Sequence, residues 1–138
     1  MAANTAPIYS RLADVQWIGA IVTANTTTDL TAGTSYLVWT ADATNGGRLE
    51  KLKVRALGTN VATVLRVWLN NGSTTGAAAN NQLYTEATIA ATTVSQVAAL
   101  ADTEITMSLP VPAGYRVYVT IGTAVAAGLV VTGAGGKY

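Results

Sequence analysis

Hydrophobic and polar residues alternate along much of this chain with a period of two, the repeat of a strand with one buried face. Leu52, Val54 and Ala56 fall on one side of the 49–57 segment, and Lys51, Lys53 and Arg55 on the other. In 64–69 Leu65, Val67 and Leu69 oppose Val64, Arg66 and Trp68. In 115–121 Tyr115, Val117, Val119 and Ile121 oppose Arg116, Tyr118 and Thr120. Ile105, Met107 and Leu109 line one side of 104–109. Segments 35–40, 83–89 and 129–132 are rich in strand-favouring residues. Segment 17–23 is apolar throughout, as in a strand covered on both faces.

Turn residues separate these segments, notably Asn45-Gly46-Gly47, Gly58-Thr59-Asn60, Asn70-Asn71-Gly72 and Pro110-Val111-Pro112-Ala113-Gly114. Segment 90–100 fits a helical turn or a strand equally, and Gly133 to Tyr138 reads as a glycine-rich tail. About eight short strands without a long helix predict an all-β, antiparallel β-sandwich, jelly-roll-like, with an immunoglobulin-like sandwich as the competitor. Residues 1–14 are expected to form an extended N-terminal arm, and 15–138 a single domain.

Composition narrows the chemistry. The 138 residues contain no His and no Cys, and only 11% are charged, against about 25% in ordinary soluble domains. Disulfides and thiolate metal sites are excluded. No catalytic residues, cofactor or metal are expected. The abundant Ser and Thr have no His partner, Asp102 and Glu104 read as surface carboxylates, and Asp42 with Asn45 is too sparse for calcium. A net charge of +1 gives no reason to expect nucleic acid. Neither a signal peptide nor a membrane span is expected. A mean hydropathy of +0.34 with so few charges points instead to an apolar contact surface, as in a self-associating building block.

If the strands wind as a jelly roll, the third and sixth are neighbours, so Lys51, Lys53 and Arg55 can pair with Asp102 and Glu104. The fourth and seventh are neighbours too. Arg66, Trp68, Arg116 and Tyr118 then share one outward face. Arg with aromatics is the composition of interface hot spots. Two other readings stay open: Trp68 covered by its own loops, and a sugar stacked on the aromatics. Ile8 and Tyr9 in the arm are further candidate contacts.

The run from Leu109 to Ala124 (LPVPAGYRVYVTIGTA), the strand Gly128 to Gly133 (GLVVTG) and the Thr/Ala/Gly-rich, Cys-free composition resemble the small virion proteins that decorate the heads of tailed bacteriophages. The resemblance implies a non-enzymatic capsid decoration (head cement) protein on the outer surface of the capsid. Its implied partners are itself, as a homo-oligomer of trimer type, and the major capsid protein. The alternative is a carbohydrate- or receptor-binding β-sandwich module of a phage tail or fibre.

Overall fold

A computed structural model describes residues 10–138; Ile8, Tyr9 and most of the expected arm lie outside the described residues. The expected segments, alternating or not, become eight strands: β1 (Leu12–Ile21), β2 (Tyr36–Thr40), β3 (Gly47–Ala56), β4 (Thr63–Asn70), β5 (Asn81–Ile89), β6 (Asp102–Val111), β7 (Arg116–Ile121) and β8 (Leu129–Lys137). A 3-10 turn, Ala78–Asn80, precedes β5. Segment 90–100 is neither helix nor strand; only Thr92 forms a bridge, to Asn60.

The strands form two four-stranded antiparallel sheets, ordered β1-β8-β3-β6 and β2-β7-β4-β5. They pack as a β-sandwich. The two adjacencies expected above are both present, β3 beside β6 and β4 beside β7. The core between the sheets is aliphatic, with Leu49, Leu52, Val54, Leu65, Val67, Val117, Val119, Ile121 and Val131 buried around Trp39. Burying one such side chain contributes about 1.5–3 kcal/mol. Gln16 closes the seam between the edges of β1 and β2. Its Nε2 donates to the Thr40 carbonyl at 2.9 Å, and its Oε1 accepts from the Thr40 N–H at 3.0 Å.

Three expectations are corrected. The first strand begins earlier than Trp17, so Leu12–Asp14, assigned to the arm, pair with Gly135–Lys137. Nor is that strand covered on both faces: Val15 and Trp17 point outward, and Trp17 is 68% exposed. The glycine-rich tail is no tail, because β8 runs through it between β1 and β3. Its glycines allow close approach. A Cβ at Gly135 would collide with the Arg48 carbonyl oxygen, and one at Gly133 would press on the Trp39 ring at 3.3 Å.

The charged rows pair across β3 and β6, Lys51 Nζ with Glu104 at 3.1 Å and Lys53 Nζ with Asp102 at 3.0 Å. The Lys53 hydrogen bond and charge hold the Asp102 carboxyl below its usual value. Backbone N–H groups of Asn45 and Thr44 lower Asp42, and the N–H and hydroxyl of Thr31 lower Asp29. Depressed carboxylates stabilise the fold above their unfolded pKa, and that contribution fades as pH falls through the folded values. With no His present, urea midpoints should stay level between about pH 5.5 and 8 and decline below about pH 4. A transition near neutrality would contradict this.

Candidate interaction surface

Arg66, Trp68, Arg116 and Tyr118 do share the outward face of the second sheet, with Trp68 directly opposite Tyr118 and Arg116 opposite Asn70. They do not form an exposed patch. Trp68 is 1% exposed, and its Nε1 donates to Thr120 Oγ1 at 3.0 Å. The expectation that Trp68 meets a partner is therefore corrected; the chain itself covers it.

The cover is the segment 22–35 between β1 and β2. It crosses the outer face of this sheet and is fastened at three places. The Asn25 N–H donates to the Ile121 carbonyl at 2.7 Å, Arg66 Nη1 to the Asn25 carbonyl at 3.4 Å, and Asn81 Nδ2 to the Asp29 carbonyl at 3.1 Å. Asn25 braces the excursion from within, its Nδ2 donating to the carbonyls of Ala32 and Thr34 at 3.0 Å each. Leu30 is only 2% exposed yet lies outside the central core cluster, as does Trp68. Its φ of 64° is unusual for a non-glycine residue and costs about 1–2 kcal/mol. Burial of its side chain over the sheet offsets that cost. Arg66 is likewise engaged within the chain, Nε to Glu86 at 2.8 Å. Arg116 and Tyr118 stay half-buried at the margin of the cover.

The exposed apolar residues lie elsewhere. Ala56 pairs with Leu129, Thr63 with Ile89 and Arg55 with Asp102, so the loops 57–62, 90–101 and 122–128 all emerge at one end of the sandwich. No residue in these three loops is charged. They present Leu57 (54% exposed), Val61 (57%), Val94 (54%) and Val97 (97%). The end is preorganised. Asn60, buried, donates from Nδ2 to the Gly128 carbonyl and accepts at Oδ1 from the Ala127 N–H, both at 2.8 Å. Its backbone pairs with Thr92, at 3.1 and 2.9 Å. The Thr59 hydroxyl accepts from the Val94 N–H at 3.1 Å. Ser95 Oγ accepts the N–H groups of Val97 and Ala98, both at 3.2 Å, which sets Val97 on a turn. Sequence reading missed this surface because its loops meet only in the folded chain. The signal was there as three charge-free turns holding aliphatic residues.

A second apolar strip is the outer face of β1, where Val15 and Trp17 face the small residues Ala134 and Thr132 of β8. Trp17→Ser should change folding stability by no more than about 0.5 kcal/mol, checked by urea denaturation. A larger loss would mean that Trp17 is covered.

Among the described residues no group of three or more His, Cys, Asp or Glu side chains could hold a metal ion, and no helix is long and apolar enough to cross a membrane. Comparison with protein-family models, with curated proteins and with solved structures finds no match.

Proposed function

We propose that this chain is a structural, non-enzymatic virion component that decorates the outside of a phage capsid, docking on the shell and on sister subunits through its uncharged loop end. The observation that carries this reading is the gathering of Leu57, Val61, Val94 and Val97 on loops without a single charge. A charge taken into a contact loses its hydration and must find a partner. These loops have no such penalty to offset, and contiguous exposed apolar surface marks contact sites. Asn60 and Ser95 hold the loops before a partner arrives, so less conformational freedom is lost on docking. The resemblance of 109–124 and 128–133 to capsid decoration proteins supports the same reading.

Burying the exposed parts of four aliphatic side chains contributes on the order of 1 kcal/mol or more apiece. A single copy would hold weakly, and a symmetric oligomer that sets several copies on the shell at once would hold firmly. The mechanism is mass action: a protein that binds the assembled shell and not its loose subunits favours the shell.

The test is a double variant, Val94→Asp with Val97→Asp. Both side chains are exposed, so melting should match the parent chain. Light scattering should show the parent as a homo-oligomer. Phage heads should retain it in a stoichiometry set by their lattice symmetry. The double variant should bind heads at least tenfold more weakly, which corresponds to about 1.4 kcal/mol. Equal retention of parent and variant, or a parent that never sediments with heads, defeats the reading.

A further inference from the structure

At the opposite end of the sandwich, a cleft of about 250 Å³ opens beside the end of β4, the 71–80 loop and the start of β5. Leu69, Asn71, Asn80, Asn81, Gln82 and Tyr115 line it, and none of its lining residues is charged. We propose that this cleft binds a neutral carbohydrate, seating one sugar ring against Tyr115 with its hydroxyls on the surrounding amides.

The amides that build the wall hold their own loop first. The Asn71 N–H donates to the Asn80 carbonyl at 3.0 Å, and Asn71 Nδ2 to Asn80 Oδ1 at 3.1 Å. Asn80 Nδ2 donates to the Thr74 carbonyl at 2.9 Å, and Asn81 Nδ2 to that of Thr75 at 2.8 Å. Asn70 joins the network, its Nδ2 donating to Asn81 Oδ1 at 2.8 Å. The rim is therefore fixed before a ligand arrives. Each primary amide carries two N–H donors, so Asn71 and Asn80 each keep a second one. The Gln82 amide and the Tyr115 hydroxyl have no hydrogen-bond partner among the described residues.

Chemistry selects the ligand class. An anion such as a phosphate would meet no cation here, and a cation no carboxylate. An apolar ligand would strand the amides. A sugar offers hydroxyls that both donate and accept, which an amide can match with its oxygen and nitrogen together. It also offers a face of C–H groups that packs on an aromatic ring and on Leu69. The volume lies just below the range typical of pockets for larger ligands, which suits one ring of a glycan. The site stands apart from the docking end, so it neither requires nor excludes attachment through the loops.

The experiment is an NMR titration of the full chain, following backbone amides, with glucose, galactose, mannose and N-acetylglucosamine and their short oligomers. Sialic acid and a sulfated oligosaccharide serve as charged comparisons. Shifts are expected for a neutral sugar, concentrated in 69–82 and at Tyr115, with affinity in the millimolar range. Gln82→Ala should weaken binding about fivefold, the loss of an ordinary hydrogen bond. Its side chain is exposed, so its melting curve should match the parent. Tyr115→Phe, which keeps the ring and removes the hydroxyl, should weaken binding by a smaller factor. The proposal is overturned if no neutral sugar shifts these residues, if only the charged glycans do, or if both variants bind as the parent does. Loss of head binding in the aspartate double variant with sugar binding intact would show that the two surfaces act separately.

Discussion

Trp68→Ala is expected to cost about 3–5 kcal/mol of folding stability, the range for truncating a fully buried large aromatic. Trp68 is 1% exposed beneath the 22–35 segment, and its indole N–H is bonded to the equally buried Thr120. Alanine would leave a cavity there and a hydroxyl without its donor. Trp68→Phe separates the contributions. It keeps much of the volume and loses the hydrogen bond, so a loss of about 1–3 kcal/mol is expected. Urea denaturation followed by circular dichroism measures both, since two other tryptophans complicate fluorescence. Association per folded molecule should not change. Normal stability with lost association would place Trp68 on the surface and the 22–35 segment elsewhere.

Asn60→Ala is expected to cost about 1–3 kcal/mol, because a small polar side chain there ties two loops together. The substitution strands the Ala127 N–H, and an unpaired buried polar group costs about 1–3 kcal/mol; the Gly128 carbonyl loses one bond but keeps the Leu57 N–H at 2.9 Å. The damage should reach function as well. With loops 57–62 and 122–128 no longer tied through this side chain, the exposed aliphatics lose their fixed spacing. Attachment to heads should weaken even at temperatures where the variant is folded. Hydrogen exchange should show faster opening at 122–128, while β3 and β8 stay protected. A variant as stable as the parent would mean that water replaces the amide.

The outward row of charges was legible because it needed only strand register. Lys51, Lys53, Asp102 and Glu104 lie on polar faces, and the pairing of β3 with β6 follows from the winding. The arm boundary was misjudged because Leu12–Asp14 show little alternation; they are strand because β8 offers them a partner. The glycines of β8 gave a false sign of looseness. They mark where Trp39 and the Arg48 carbonyl come too close for any side chain.

By itself the sequence determined the all-β class, the eight strands and, in the alternating ones, the residues facing the core, since alternation and turn chemistry act over a few neighbouring residues. It also determined the poverty of catalytic groups, a matter of composition. Only the tertiary structure decided what covers each outward face. A period of two assigns a side chain to one of two faces and is silent about what lies over it. Trp68 is hidden because a segment beginning some forty residues earlier folds across it. Leu57, Val61, Val94 and Val97 form one surface because strand pairing brings their loops to the same end, and no local pattern encodes that meeting.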